Sequence, residues 1–300
     1  MNSSNIFYRN NISVIPDHSF LNDAYNPQDH AIVSSLYTDD YTIAIMTLGH
    51  SIRAVNITAR MVLMYIPESE GGGVSQKSLC LVQAAGWTPH PVSFIHPPAN
   101  KALSGHYRHQ YSKLNLWGLD TLGIKSAVYV DADTLVRKNF EVLFTLPWNV
   151  AAVPDVFDTV GFVVGINAGV LFFRPNSATF DDMISKLAVA EYPPNYAEQT
   201  FLNIYFGSQM DRMPYTFNAN LAIKQRSATL WASLQDEIRI VHYTTVKPFP
   251  HEMLSAAKEV EFFEKKKNFN GGLWKEEVGW WRHSFNAMRK EVKMEQCDAH

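Results

Sequence analysis

The chain has 300 residues, of which 46% are hydrophobic and 18% are charged. This balance is typical of a folded globular protein and excludes a disordered or low-complexity chain. The formal net charge is −3 at pH 7, so bulk charge gives no reason to expect a nucleic-acid partner, which would need a clustered basic surface. No apolar run reaches the roughly 20 residues of a membrane-spanning helix, and the first residues lack the apolar stretch of a signal peptide.

The two cysteines, Cys80 and Cys297, lie far apart in the chain. Their separation matches no metal-ligand spacing, and two thiols cannot form a disulfide framework for a chain of this length. We therefore expect a reducing compartment and a cytoplasmic protein. An anchor missing from the sequence would instead place the protein in the Golgi or at a membrane.

The N-terminal half alternates between strand-like and helix-like patterns. Residues 1–30 are rich in Asn, Asp and Pro and are predicted to be an irregular arm. Residues 31–37 (AIVSSLY) form the first predicted strand, and apolar residues spaced by three or four indicate a helix within residues 41–60. Residues 59–66 form a second predicted strand, and residues 75–85 a short helix. Strand and helix in alternation predict an α/β fold with a parallel sheet.

The remaining elements continue this alternation. Residues 126–130 (SAVYV) are uninterrupted and β-branched, as expected for a strand covered on both faces. Further strands are predicted at residues 150–153, 169–173 and 238–242, and helices at residues 106–119, 177–190 and 197–206. We expect a catalytic domain at residues 31–252 and a C-terminal helical tail at residues 253–300 that packs on it.

Asp131-Ala132-Asp133 directly follows the clearest predicted strand. In open α/β sheets, ligands bind beyond the carboxyl ends of the strands. Two carboxylates separated by one small residue could hold a divalent ion, which would stabilise a diphosphate leaving group. Mg²⁺ and Mn²⁺ both suit carboxylates, and an added imidazole favours Mn²⁺. The alternative is that Asp131 caps the next helix and Asp133 is solvated.

Five segments together resemble glycosyltransferase family 8, the family of glycogenin. Residues 111–147 (YSKLNLWGLDTLGIKSAVYVDADTLVRKNFEVLFTLP) resemble the family's core, and residues 31–52 (AIVSSLYTDDYTIAIMTLGHSI) resemble its first strand and helix. Asn167-Ala168-Gly169, Glu198-Gln199 and residues 241–249 (VHYTTVKPF) follow in family order. The resemblance implies a GT-A fold, a Rossmann-like nucleotide-sugar transferase fold with a mixed, mostly parallel central sheet flanked by helices.

The resemblance also implies a UDP-sugar donor, Mn²⁺ with Mg²⁺ as the second choice, and retention of the anomeric configuration. The implied metal ligands are Asp131, Asp133 and His242, and the implied catalytic residues are Glu198, Gln199 and Lys247. The implied donor-binding residues are Leu36, Tyr37, Thr38, Tyr41, Lys113, Asp131, Ala132, Asp133, Asn167, Ala168, Gly169, His242 and Lys247.

Each of these assignments has a structural alternative. His242 would then be a hydrogen-bonded structural histidine, and Lys113 a surface lysine on a helix. Gly169 would belong to a simple turn before a strand, and Gln199 would be a helix-surface amide. The chain also departs from the family pattern. Glu198 stands where glycogenin has an aspartate, the loop before Lys247 consists of Thr244-Thr245-Val246, and Phe249 stands where the family has a tryptophan.

Glycogenin glucosylates one of its own tyrosines, but residues 220–241 contain no tyrosine. We therefore expect a hexosyltransferase with a separate acceptor, such as a polyol, glycan, lipid or protein. The alternatives are a nucleotide-sugar hydrolase, a nucleotidyl-type enzyme that uses the same metal, and a catalytically idle UDP-binding scaffold. The protein could also form a homodimer. Trp274, Trp280 and Trp281 favour a packed C-terminal helix over a membrane-surface helix or a sugar-stacking platform.

Overall fold

A computed structural model describes residues 26–98, 105–187, 189–193 and 196–298. Of the predicted N-terminal arm, residues 1–30, the first 25 residues lie outside the described part of the chain. None of the described helices is long and apolar enough to span a membrane.

The larger sheet has seven strands. They are β1 (His30–Leu36), β2 (Arg60–Tyr65), β3 (Thr88–Pro91), β4 (Ser126–Val130), β6 (Val150–Phe157), β7 (Gly161–Phe173) and β8 (Asp211–Arg212). Their spatial order is β3-β2-β1-β4-β7-β6-β8. Strand β1 pairs in parallel with β2 and with β4, and β2 pairs in parallel with β3. Strand β7 is antiparallel to both β4 and β6, so the prediction of a mixed, mostly parallel sheet is confirmed.

The strand order creates a switch point between β1 and β4. From β1 the chain moves outward through β2 and β3, and then returns to the other side of β1 to form β4. At such a point the connections leave the sheet in opposite directions, which opens a crevice beyond the carboxyl ends of the two strands. Tyr37 and Thr38 follow β1, and Asp131 follows β4, so both predicted segments meet at this crevice.

Eight helices accompany the strands over the described residues. They are α1 (Thr42–Ala54), α2 (Gln76–Ala84), α3 (Ser177–Leu187), α4 (Ala197–Phe206), α5 (Ala222–Arg226), α6 (Ala228–Leu234), α7 (Ala256–Asn268) and α8 (Lys275–Glu291). Residues Gly105–Leu122, part of which was predicted as an α-helix, instead form 3₁₀ turns.

Alternating side chains of the central strands enter two separate cores. On β4, Val128 and Val130 face the core that contains α1 and α8, whereas Ala127 and Tyr129 face the core that contains α3 and α4. This period of two is the geometry of an extended strand covered on both faces. The sheet is therefore sandwiched between two helical layers.

A second sheet, of three strands, contains the last of the segments that resemble the family. It consists of β5 (Thr134–Val136), β9 (Ala219–Asn220) and β10 (Ile240–His242), in the order β5-β10-β9. Strand β10 is antiparallel to β5, with His242 opposite Thr134. Because β5 begins directly after Asp133, this register brings a distant histidine to the two aspartates.

The C-terminal segment packs on α1. Trp281 on α8 is buried and stacks on Phe285, with ring centroids 5.1 Å apart, and its ring also lies near Phe263 of α7. The guanidinium of Arg137 lies 3.6 Å from the Trp280 ring centroid. Trp274 is buried and donates its indole N–H to the Leu221 carbonyl at 3.2 Å. All three tryptophans of this segment thus take part in packing.

The pairing of the two cysteines was not expected from the sequence. Cys80 on α2 and Cys297 near the C-terminus form a disulfide, with their Cα atoms 5.7 Å apart. The prediction of a reducing compartment rested on two thiols being too few for a disulfide framework, yet the two form one cross-link. The physical reason is that residues after α8 return to α2, where Lys77 also forms an ion pair with Asp298 at 2.7 Å.

Candidate functional site

The crevice between β1 and β4 widens into a cavity of about 1030 Å³. Its lining includes every predicted site residue except Leu36, whose fully buried side chain belongs to the core around α1. Ser35 and Tyr37 line the cavity instead, because neighbouring side chains of a strand point to opposite faces. A cavity of this size is ample for a small-molecule ligand.

Asp131, Asp133 and His242 form the one group of metal-ligating side chains found among the described residues. Their candidate ligand atoms lie within 4.8 Å of one another. The Nε2 atom of His242 lies 3.2 Å from Asp133 Oδ1 and 3.9 Å from Asp131 Oδ2. Two hard carboxylates and one imidazole fit a divalent cation such as Mn²⁺.

The second nitrogen of the His242 ring is fixed by an asparagine. Nδ1 lies 3.0 Å from Asn218 Oδ1, and the amide nitrogen of Asn218 donates to Asn167 Oδ1 at 2.9 Å. With the hydrogen on Nδ1, the ring donates to Asn218 Oδ1 and presents the lone pair of Nε2 to the two aspartates. This is the outer-shell arrangement that orients a metal-binding histidine.

Gly169 lets the backbone approach the histidine ring. A Cβ atom at this position would overlap the imidazole and would lie 2.6 Å from His242 Nδ1 and 2.8 Å from Asn167 Oδ1. Its amide also donates to Asn167 Oδ1 at 2.9 Å. Glycine is therefore required by close contact at this position.

Lys247 forms an ion pair with Asp133. Burial alone would raise the pKa of the Asp133 carboxyl, but the charge of Lys247 and its hydrogen bond to Asp133 hold this pKa well below its usual range. Burial alone would lower the pKa of Lys247, and Asp133 instead raises it. Asp133 is thus a carboxylate at neutral pH, which is the form that binds a cation.

Lys113 is buried and only 2% exposed, although a lone lysine on a helix would be expected at the surface. Its Nζ lies 2.8 Å from Glu198 Oε1 and 3.1 Å from Asp131 Oδ1. Burial would lower the pKa of Lys113, but the two carboxylates raise it above its usual value. Burial raises the pKa of Glu198, against the opposing effect of Lys113.

Tyr129 supports both partners of this ion pair. Its hydroxyl donates to Asp131 Oδ1 at 2.7 Å, and its ring centroid lies 4.8 Å from Lys113 Nζ. Tyr129 lies on β4 two residues before Asp131, which directly follows the strand, so the extended chain points both side chains to the same side. The sequence analysis placed Tyr129 in a strand but assigned it no role.

A buried carboxylate, Asp155, organises the far side of the cavity, and the sequence analysis missed it. Its Oδ2 accepts from Gln199 Nε2 at 2.9 Å, and its Oδ1 accepts from Asn167 Nδ2 at 3.0 Å. Asn220 also donates to Oδ1, at 3.3 Å. The only sequence signal was a charged residue inside the apolar run of β6, where a carboxylate needs partners.

Gln199 is held at both ends of its amide. Its Oε1 accepts from the Ala168 amide at 2.9 Å, while its Nε2 donates to Asp155. Glu198 and Gln199 lie in the first turn of α4, next to Ala197, whose φ of 44° is unusual for a non-glycine residue. The turn therefore directs both side chains into the cavity.

Tyr37, Thr38, Tyr41 and Ala132 line the cavity beside the aspartates. Burial raises the pKa of the Tyr37 hydroxyl. The ring of Tyr41 packs against Phe249, with centroids 5.3 Å apart. Since Phe249 follows Lys247 and Pro248, this contact links the loop after β1 to the loop after β10.

A family model described as glycosyl transferase family 8 matches residues 33–251, nearly three quarters of the chain. The chain belongs to this family. The match begins in β1 and includes the two aspartates, Glu198, Gln199, His242 and Lys247. The resemblance found in the sequence is thereby confirmed, as is the predicted enzyme class, a hexosyltransferase.

Curated relatives of this family 8 chain differ in their named activities. It is 27% identical over 237 residues to inositol phosphorylceramide glucuronosyltransferase 1 of Arabidopsis thaliana, an alignment that covers 71% of this chain and 41% of the relative. Galactinol synthase 6 of Arabidopsis thaliana is 26% identical, with 68% and 67% covered. Glycogenin of Neurospora crassa is 26% identical, with 70% and 30% covered. The chain thus spans less than half of two of these relatives.

The solved glycosyltransferase GlyE of Streptococcus pneumoniae TIGR4 has the same fold. The superposition gives a TM-score of 0.55 at 18% identity and covers 89% of this chain and 65% of that structure. At so low a sequence identity, the superposition shows a shared fold and nothing about the reaction. The predicted GT-A fold is confirmed.

Proposed function

We propose that this protein is a retaining glycosyltransferase that moves a hexose from a UDP-sugar to a separate acceptor with the help of Mn²⁺. The observation that carries the proposal is the convergence of Asp131, Asp133 and His242 at the β1–β4 crevice. A nucleotide diphosphate needs divalent and cationic partners, and this cavity offers the metal ligands together with Lys113 and Lys247.

Asp131, Asp133 and His242 would hold the cation. When bound, it would supply charge neutralisation for the leaving diphosphate. Tyr37, Thr38 and Tyr41 offer an aromatic and polar surface for the uridine next to this position. Lys247, now paired with Asp133, is close enough to the ligands to bind a phosphate oxygen of the donor.

The sugar would lie between the metal ligands and the Asp155 network. Asn167 and Gln199 present amides that can bind its hydroxyls, and Glu198 places a carboxylate where positive charge develops at the anomeric carbon. The Lys113–Glu198 contact at 2.8 Å orients this carboxylate. The anomeric retention in this proposal rests on the family resemblance.

The acceptor is separate because the protein lacks an equivalent of the glycogenin tyrosine. Residues 220–241 contain Trp231 as their single aromatic residue, and its side chain is buried in the core. No tyrosine is therefore presented to the cavity from that segment. Transfer to a second molecule remains as the productive outcome.

The test is UDP release from a panel of UDP-sugars in the presence of Mn²⁺. We expect release from one preferred donor, loss of release with EDTA, and a loss of at least about a hundredfold in Asp133→Asn. Asp181→Asn on the exposed face of α3 is the matched control and should behave as the wild type.

The outcomes separate this proposal from its alternatives. Release that a sugar acceptor does not accelerate would favour a nucleotide-sugar hydrolase. UDP binding in calorimetry without release from any donor would favour an idle scaffold. Absence of UDP binding would overturn the proposal.

A further inference from the structure

The cavity extends beyond the part of the chain that matches the family. Its metal-binding and donor-facing side chains lie within residues 33–251. Phe269, Asn270 and Trp274, which also line it, come from the C-terminal segment. The C-terminal segment therefore contributes lining residues to a cavity whose other lining residues lie within the part of the chain that matches the family.

Two aromatic pairs border this part of the cavity. Phe269 and Trp274 are stacked, with ring centroids 5.7 Å apart and planes inclined by 21°. Phe157 and Tyr196 have centroids 5.0 Å apart. Phe269 is 50% exposed and Tyr196 is 45% exposed, so each pair is packed internally but keeps one ring open.

Helix α5 joins the two pairs. Arg226 donates to the Asp158 carbonyl at 3.3 Å, next to Phe157. On the other side, Lys224 forms an ion pair with the buried Glu277 of α8 at 2.7 Å, and Trp274 donates to the carbonyl of Leu221. Ala222 and Gln225 of α5 line the cavity between the pairs.

The turn that presents Phe269 is built from residues that tolerate a left-handed backbone. Asn270, Gly271 and Gly272 have φ values of 49°, 65° and 81°. Asparagine and glycine adopt this region at low cost, whereas other residues do so rarely. The turn ends α7 and holds both Phe269 and Asn270 at the cavity.

The charges at the cavity do not suit an anionic ligand in this part. Among the described residues that line it, the lysines are Lys113 and Lys247, and both pair with carboxylates of the donor region. No arginine is among them. Beside Phe157 the polar residues that line the cavity are Asp158 and Thr159, both exposed.

We infer that the aromatic pairs Phe157–Tyr196 and Phe269–Trp274, with α5 between them, form the acceptor subsite and select a neutral sugar or polyol. This inference rests on the proposed function and names the acceptor class. The apolar C–H face of a sugar or cyclic polyol packs on an aromatic ring, while Gln225 and Asn270 offer amides to its hydroxyls. A phosphorylated acceptor would meet the Asp158 carboxylate, whereas Arg226, which contacts the Asp158 carbonyl, is not among the residues that line the cavity.

The test measures binding to the full chain in the presence of UDP and Mn²⁺. The probes are neutral and anionic partners of equal size: glucose with glucose 6-phosphate, and myo-inositol with myo-inositol 1-phosphate. Saturation-transfer NMR and the change in total tryptophan fluorescence report binding without turnover. We expect at least one neutral probe to bind at least about tenfold more tightly than its phosphorylated partner.

Variants then locate the subsite. Phe269→Ala should weaken binding of the preferred neutral probe at least about tenfold, well beyond any change in UDP affinity, whereas Phe269→Tyr should retain it. Phe162→Ala is the matched control, because Phe162 is 46% exposed and does not line the cavity. It should bind both ligands as the wild type does.

Equal loss of UDP and sugar binding in Phe269→Ala, an unchanged affinity for the sugar, or preference for the phosphorylated probes would each overturn the inference. So would failure of every neutral probe to bind. These results are independent of donor turnover, so a failure of the proposed transfer reaction appears separately as absence of UDP release.

Discussion

His242 is positioned by neighbours that come from three parts of the chain. Asn218 Oδ1 lies within hydrogen-bonding distance of Nδ1, the pairing of β10 with β5 places the residue opposite Thr134, and Gly169 leaves room for the ring. The imidazole can therefore occupy one orientation only, with Nε2 directed to the aspartates. Such outer contacts usually matter for metal affinity nearly as much as the ligands do.

Adding one methyl group at Gly169 should disturb this arrangement. In Gly169→Ala the new Cβ would overlap the His242 ring and displace it. We expect Mn²⁺ affinity, measured by titration calorimetry or electron paramagnetic resonance, to fall roughly 10–100-fold.

Gly118→Ala is the matched control, because nothing lies within 4 Å of a Cβ at that position. It should bind Mn²⁺ as the wild type does. An unchanged Mn²⁺ affinity in Gly169→Ala would mean that His242 does not bind the metal from its present position.

The sequence predicted those site residues whose charge is unexpected at their position or that match a family motif. Asp131 and Asp133 were evident because they end an apolar strand, and His242 and Lys247 because they match a family motif. Asp155 and Asn218 were missed, since their importance lies in hydrogen bonds to Asn167 that no local pattern encodes. Partners distant in sequence become visible only when the fold brings them together.

At the scale of elements, the length of a helix or strand decided whether its bounds could be predicted from the sequence. The five-residue strand β4 and the ten-residue helix α4 were predicted with their observed bounds. Strands β8 and β9 have two residues each, too few to show a period of two. The full length of β7 was also missed, because Gly161 and Gly165 interrupt the apolar pattern of its first half.

Helix α8 should be essential to the stability of the catalytic core. Trp281 is buried between Phe263, Phe285 and Phe249. Trp281→Ala leaves a large cavity, so we expect the free energy of unfolding to fall by about 3–5 kcal/mol in chemical denaturation.

Val260→Ala on α7 is the control for this change, because Val260 is exposed. Its free energy of unfolding should stay within about 0.5 kcal/mol of the wild type. If Trp281→Ala were equally mild, α8 would contribute little to the core, contrary to its packing.

At the scale of the whole molecule, the disulfide joins the C-terminal segment to the first half of the sheet. Cys80 and Cys297 are separated by 217 residues in sequence. A cross-link over so long a segment restricts the unfolded chain, so reduction should destabilise the protein by about 2–4 kcal/mol. Thermal melting with and without dithiothreitol measures this effect.

The double variant Cys80→Ser/Cys297→Ser provides the comparison. It should melt at the temperature of the reduced wild type and should not respond to dithiothreitol. If the oxidised and reduced wild type melt together, the bond makes no contribution to stability.

The pairing of β10 with β5 also has a consequence for synthesis. His242 leaves the ribosome ~110 residues after Asp133, which at ~5–20 residues per second is a delay of roughly 5–20 s. Throughout that interval the nascent chain carries two of the three proposed metal ligands and lacks the strand that delivers the third. The proposed metal site is thus completed late in synthesis, and a chain interrupted before residue 242 would present a pair of carboxylates without the imidazole.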